Sequence, residues 1–295
     1  MELHQLQYVL EIAKHRHFTR AAEEICVAQS SLSQQITKLE EELGTKLFDR
    51  TTRSVTPTPA GEEFIQYAKR ILADIDSLKQ SVQAHIGLEK GRVAIGAITT
   101  LETIDFVSLV AQFHKTYPGL HLTIVSSVSN KLMDLLKTSA IDMAIMTPSL
   151  DVRNEDFDVY SLGEDEFVLI AAEGNPLLQK GSVDLAGLRD EKFIFPTSDQ
   201  SSFTIYMQAC TAAGFSPHIV CQSGHAKTTL ALVAIGMGIS FFPLNTFLAT
   251  KPAGISYTRL TNPVKKQISL VLPKRCFYPP PVLAFRDYVL RWIKG

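Results

Sequence analysis

The side chains best placed for chemistry in this chain are amides, hydroxyls and cations between residues 29 and 53. Gln29, Ser30, Ser33, Gln34, Thr37 and Lys38 recur at spacings that lay them along one helix face. Short hydroxyl and amide groups on such a face can hydrogen-bond to base edges in a major groove, and Gln34 is the best candidate for pairing with adenine. Taken alone, that face fits a solvated surface better. The segment behind it shifts the balance. Arg50-Thr51-Thr52-Arg53-Ser54-Val55-Thr56 reads as a short β-ribbon whose guanidinium groups can hold phosphates or enter a minor groove. Together these groups describe recognition of a nucleic acid, with no bond made or broken.

Bond-making chemistry has little support elsewhere. No G-x-S-x-G, H-E-x-x-H or phosphate-binding loop occurs, and the histidines do not cluster, so no enzyme is expected. Gly236-Met237-Gly238 carries two glycines of a dinucleotide loop but precedes a strand instead of following one, which makes it a tight turn. Cys26, Cys210, Cys221 and Cys276 are scattered without CxxC spacing. That pattern fits a reducing cytoplasm and argues against a zinc site or a disulfide framework. Bulk charge does not advertise a polyanionic partner: the net charge is −1, and in residues 1–66 seven Lys and Arg face ten Asp and Glu. Any grip on DNA must come from where Lys38, Lys46, Arg50 and Arg53 sit.

These groups need elements to hold them. Leu3, Leu6, Val9, Leu10 and Ala13 mark a first helix through about residue 15. Thr19 can cap a second, with Ala21, Ala22 and Ile25 inward. A third starts near Gln29 or Ser30, buries Leu32, Ile36, Leu39 and Leu43, and stops at Gly44. Leu47-Phe48 anchors the ribbon, and Thr58-Pro59 starts the next helix with Thr as N-cap. Phe64, Ala68, Ile71, Ile75, Leu78, Val82 and His85 then alternate spacings of four and three, a coiled-coil seam on a helix over 59–87. At roughly 43 Å, such a helix pairs with its own copy or packs as a long core helix on its own chain.

Beyond Gly91 the pattern becomes strand–helix–strand. Strands at 92–98, 120–125 and 141–146 alternate with helices near 102–116 and 130–138, so a parallel sheet with right-handed crossovers is expected. A second unit repeats the scheme with strands at 167–171, 192–195, 218–221 and 239–242 and helices near 201–213 and 226–235. Strands at 255–260 and 267–272 and a final helix, 282–294, return the chain to the first unit. A hydrophobic content of 45% supports real cores, the N-terminus has no apolar leader, and no uncharged apolar run approaches the roughly 18 residues of a membrane span.

This ordered set resembles the LysR-type transcriptional regulators over the full length. The most specific matches are Phe18-Thr-Arg-Ala-Ala22, Ser31-Leu-Ser-Gln-Gln-Ile-Thr-Lys-Leu-Glu-Glu-Glu-Leu-Gly44, Leu47-Phe-Asp-Arg50 and Thr58-Pro-Ala-Gly61. Weaker ones are Tyr117-Pro118, Ile141-Asp-Met-Ala144, Asn175-Pro-Leu177 and Ala234–Pro243. Ser30 stands where the family often has Pro, and Pro57 where it usually has Leu. The resemblance implies a winged helix-turn-helix over residues 1–58, with the helix-turn-helix itself at about 18–37. A linker and dimerisation helix over 59–88 would follow, then an α/β effector domain over 91–295, like a type 2 periplasmic binding protein. Its Rossmann-like subdomains would comprise about 91–161 with 266–295, and about 162–265. The implied partners are promoter DNA, a small organic anion, a second copy or a tetramer, and RNA polymerase. No cofactor, metal or membrane partner is expected.

Ligands of doubly wound units bind beyond the C-terminal ends of strands, at helix N-termini. On the family fold Thr99, Thr100 and Leu101, Ser127 and Ser129, and Pro196, Thr197 and Ser198 would converge on one cleft, with His225 and Lys227 nearby. Hydroxyls and free N–H groups there suit a carboxylate; each Ser or Thr taken singly fits a helix cap equally well. Some family members sense peroxide through a cysteine pair in the second subdomain. Here Cys210 and Cys221 read as small core residues.

Overall fold

The computed structural model describes residues 1–50, 54–84, 91–99, 101, 104–148, 155–179, 181–275 and 277–294. Two compact units result, Met1–Ile86 with Lys137–Ala140, and Gly87–Leu136 with Ile141–Gly295.

The first unit begins with helices α1 (Leu3–His15), α2 (Phe18–Glu24) and α3 (Gln29–Leu43). Their inward residues Val9, Ile12, Ala21, Leu32, Ile36 and Leu39 form one fully buried cluster. The second helix is capped by His17, whose Nδ1 accepts the Thr19 N–H, so Thr19 lies inside the helix and not at its cap. The third begins and ends where the sequence indicated, with Gly44 left-handed at its C-cap. Two short strands, β1 (Phe48–Arg50) and β2 (Val55–Pro57), pair antiparallel. Thr58 then caps α4 (Pro59–Ala84): its Oγ1 accepts the Gly61 N–H and donates to the Lys46 carbonyl. A Cβ at position 61 would stand 2.0 Å from the Leu47 carbonyl oxygen, so only glycine lets the long helix start against the ribbon's base. The start of α4 packs into the same core through Phe64 and Ile65.

In the second unit β3 (Gly91–Ala97) pairs parallel with β4 (Leu120–Ser126) and β5 (Met143–Met146), with α5 (Phe106–Thr116) and α6 (Ser129–Lys137) as crossovers. Asp142, before β5, accepts the Ala94 N–H at 2.7 Å, and burial pushes its carboxyl above the usual range. Strand β6 (Phe157–Ala172) is far longer than the sequence suggested. Next come β7 (Ser182–Val183), β8 (Lys192–Pro196), α7 (Ser201–Ala212), β9 (His218–Ser223), α8 (Ala226–Ala234), β10 (Ser240–Pro243) and α9 (Leu244–Thr250). The unit ends with β11 (Ile255–Leu260), β12 (Val264–Pro273) and α10 (Pro280–Trp292). Among the described residues the main sheet runs β4-β3-β5-β12-β6-β11-β7, with β10 also on β6 and a separate β8-β9 pair.

Strands β6 and β12 lie antiparallel along nearly their whole length and slip register once. Ile268 faces Gly163 and Ser269 faces Ser161, leaving Leu162 as a bulge. Leu162 at the bulge, with Ile268, Leu270 and Leu272, joins a cluster with Val93, Ile95 and Phe285. Farther along β6, Phe167 and Leu169 join Phe193, Phe195, Tyr206 and Phe241, and Val168 and Ile170 join Ile194 and Phe242. One pair of strands therefore serves several separate cores.

Candidate functional site

The outer face of α3 carries Gln29, Ser30, Gln34, Thr37 and Lys38, all exposed, while Leu32, Ile36 and Leu39 on its inner face are wholly buried. Ser33 is half-buried, and the Thr37 hydroxyl donates to its carbonyl. The buried Gln5 side chain donates to the Gln35 carbonyl and Oε1, tying α1 to α3. Arg53 lies outside the described residues. Arg50, with 38% of its side chain exposed, folds back from the ribbon onto α3. Its guanidinium pairs with Glu40 at 3.1 Å, donates to the Ser33 hydroxyl at 3.3 Å and lies over the Phe18 ring at 4.8 Å.

A cavity of about 480 Å³ opens in the second unit, where the ends of several strands meet helix starts. Thr99, Ser127 and Ser129 line it from the first half, Pro196 and His225 from the second. Leu101 belongs instead to the hydrophobic cluster of Val93 and Phe285. Thr197 turns its hydroxyl to Gln200, and Ser198 is exposed away from the cavity wall. Lys227 is also exposed and off the wall, and Thr100 lies outside the described residues.

Three helices begin at this cavity: α6 at Ser129, α7 at Ser201 and α8 at Ala226. The residues preceding α7 and α8, Gln200 and His225, make no side-chain capping bond. The first-turn N–H groups of these helices therefore add partial positive charge where an anion can sit. Gln200 instead bridges to the Gly224 carbonyl, and Asn130 on α6 reaches the Asp199 carbonyl. Ser129 is 4% exposed, and among the described residues its hydroxyl has no hydrogen-bond partner.

The walls include buried groups that sequence reasoning missed: Thr147, Phe167, Tyr206, Phe241 and Lys266. Lys266 is 5% exposed and stands 5.9 Å from the Phe167 ring centre, directly across the ladder from Asp165, itself 3% exposed. The Tyr206 hydroxyl donates to the Phe241 carbonyl, and burial holds its pKa well above the ordinary phenol value. In the sequence Lys265-Lys266 looks like a solvated pair of charges. Strand alternation is the signal that could have separated them: Lys265 is exposed and pairs with Glu164, whereas Lys266 turns inward.

Cys210 and Cys221 are both free thiols. Cys210 packs with Phe193 and Phe195, and Cys221 faces Ile194 across the β8–β9 ladder. Successive residues of a strand point to opposite faces, so the two thiols lie on opposite sides of β8 and cannot reach disulfide distance without backbone movement. Burial lifts the Cys210 thiol to about 11, which makes it a poor nucleophile. A thiol reagent applied to the native protein at about pH 8 should modify exposed Cys26 and leave Cys210 untouched. Peptide mass spectrometry showing equal labelling of both would contradict this assignment.

A helix-turn-helix with a ribbon, a long helix, and a two-part α/β unit holding a cavity lined by hydroxyls as well as apolar groups define a DNA-binding regulator with a ligand-sensing unit. Residues 3–62 match the family described as bacterial regulatory helix-turn-helix protein, lysR family, and residues 87–294 match the LysR substrate binding domain. The chain belongs to the LysR family of transcriptional regulators and is not an enzyme. Transcriptional dual regulator GltC of Bacillus subtilis is 28% identical over 99% of this chain and 97% of its own length. The regulator AlsR of the same organism is 32% identical over 82% of this chain and 80% of its own. Full-length OxyR C199D from Pseudomonas aeruginosa superposes with a TM-score of 0.74 at 25% identity, covering 98% of this chain and 94% of that one. Among the described residues no helix is long and apolar enough to cross a membrane.

Proposed function

We propose that the protein controls promoters in the cytoplasm in response to a small organic acid held in the cavity of its second unit. The acid sits between one subdomain formed by about residues 91–161 and 266–295 and another formed by about 162–265. Thr99, Ser127, Ser129 and His225 contribute from the rim and walls, with Lys266 as buried countercharge. Gln29, Ser30, Ser33, Gln34, Thr37 and Lys38 read the operator, and Arg53 holds the DNA backbone or minor groove. Two copies join through residues 59–88, dimers pair into tetramers, and the bound assembly acts on RNA polymerase.

The observation that carries the acid reading is the Ser129 hydroxyl, buried without a partner at a cavity where three helices begin. An unmade bond of a buried hydroxyl costs about 1–3 kcal/mol, and a ligand oxygen would recover it. An empty apolar pocket would have no use for such a group.

The experiment is titration calorimetry of the full-length protein against a panel of small mono- and dicarboxylic acids and their uncharged amides. At least one acid should bind, its amide should not, and Ser129→Ala should weaken the acid about fivefold or more. Binding of amides and acids alike, or binding indifferent to Ser129→Ala, rules out this cavity as an acid site. On the DNA side, operator selection from random duplexes with Gln34→Ala should return a degenerate base where the native protein selects adenine, a loss of about 1–3 kcal/mol of discrimination.

A further inference from the structure

We propose that Arg50 is a positioning residue: together with Glu40 it locks the wing onto the recognition helix, and it neutralises no phosphate. The proposal rests on the helix-turn-helix reading of the first unit and changes what one of its arginines does. A free wing arginine would leave its guanidinium nitrogens for DNA. Here Nη2 donates to Glu40 Oε2 at 3.1 Å and Nη1 to the Ser33 hydroxyl at 3.3 Å. Its flat face covers Phe18, which itself stacks edge-on against Phe48, so the cation continues the core outward.

Glu40 completes the lock. Its other oxygen accepts the backbone N–H groups of Leu47 (2.9 Å) and Phe48 (3.2 Å), and its side chain is only 11% exposed. One carboxylate on α3 thus gathers the entry to the ribbon and, through Arg50, its far end. Arg50 also faces Val55 in the two-stranded ladder, so the pair fixes both strands relative to the helix. The planar fork suits this task, because it offers two parallel donors and a stacking face that an ammonium lacks.

Charge accounting points the same way. Arg50 and Glu40 cancel, so the pair presents no net cation to the duplex. Each phosphate a protein neutralises steepens the dependence of log affinity on log salt by about 0.9. An arginine already neutralised inside the protein adds nothing to that slope. Lys38 and Lys46 remain exposed and make no ion pair among the described residues, so they can contribute to it. What Arg50 contributes is the angle of the wing and the orientation of the Ser33 hydroxyl on the groove-facing helix.

The test uses full-length protein and a fluorescein-labelled mixed-sequence duplex of about 30 base pairs, with anisotropy titrations between about 50 and 300 mM KCl. Arg50→Met should weaken binding by a similar factor at every salt concentration, with the slope within about 0.3 of the native value. Arg50→Lys, which keeps the charge but not the fork, should weaken binding equally and lower the thermal midpoint as much as Arg50→Met. A slope shallower by about 0.9 per subunit in Arg50→Met, restored by Arg50→Lys, overturns the proposal. Glu40→Gln decides the matter even where Arg50→Met does not fold. A lock predicts weaker binding at every salt concentration, because the ribbon loses its anchor; an arginine gripping phosphate predicts tighter binding once the competing carboxylate is neutral.

Discussion

Lys266→Met is expected to destabilise the second unit by about 3–5 kcal/mol, far beyond the ~0.5 kcal/mol typical of a surface lysine. Lys266 and Asp165 are opposite charges on neighbouring strands, 5% and 3% exposed, and directly paired in the β6–β12 ladder. Directly opposite residues share a face with Cβ atoms about 5 Å apart. Removing the cation leaves a carboxylate in a place where water cannot compensate it. Asp165→Asn combined with Lys266→Met should recover more than half of the loss, because the amide still accepts the Asn245 N–H that Asp165 holds at 3.2 Å. Urea unfolding followed through the single tryptophan, Trp292, reads the second unit, since its indole donates to the Ile104 carbonyl there. A loss below about 1 kcal/mol for Lys266→Met would show that the side chain is solvated. The folded double variant then isolates the ligand: acid binding should fall about 30-fold or more, as for other buried charge-assisted contacts.

Why Lys266 escaped sequence reading is instructive. The first half of β6, Phe157-Asp-Val-Tyr-Ser-Leu-Gly-Glu-Asp-Glu166, is acidic and contains a glycine, so it reads as a spacer. It becomes a strand because cations about a hundred residues later meet it: Lys265 on Glu164, Arg259 on Glu166 and Lys266 opposite Asp165. No local window contains both sides of that ladder. The same distance effect hides α9, a short helix after Pro243 whose Asn245 N–H is held by Asp165.

Elements that close within a few residues were legible. The recognition helix shows its inner row, Leu32, Ile36 and Leu39, and its Gly44 stop in the sequence, and Thr58-Pro59 carries its own cap. The cavity divides along the same line. Its rim, Thr99, Ser127 and Ser129, follows strand ends and could be found from strand patterns. Its buried walls, Tyr206 and Phe241 with Lys266, look like ordinary core and surface residues until the two halves are brought together. Arg50 divides differently. Its residue type suggests an outward role, and the carboxylate ten positions earlier, which holds its guanidinium against α3, is visible only in the fold.

Leu78→Glu with Val82→Glu is expected to convert the protein to monomers and lower its affinity for a two-half-site duplex by about 10²–10⁴-fold. The exposed apolar side chains of α4 are Tyr67 at 54%, Ile71 at 37%, Leu78 at 64% and Val82 at 61%. Their spacings of four, seven and four place them within an arc of about 60° at 100° per residue. The start of the same helix buries Ala68 and packs Phe64 into its own core, so the stripe emerges where self-packing ends. A solvated helix has no reason to align its exposed large apolar groups, whereas a coiled-coil seam requires it. The DNA-binding unit makes pairing matter more than usual. With acids outnumbering bases in residues 1–66, one copy has few net cations, and joining two heads raises the effective concentration of the second at its half-site. Because both substituted positions are exposed, each unit should keep its thermal transition within the range of surface changes, about 0.5 kcal/mol. Sedimentation equilibrium that still returned a dimer, or DNA affinity unchanged in a proven monomer, would place the pairing surface elsewhere on the chain.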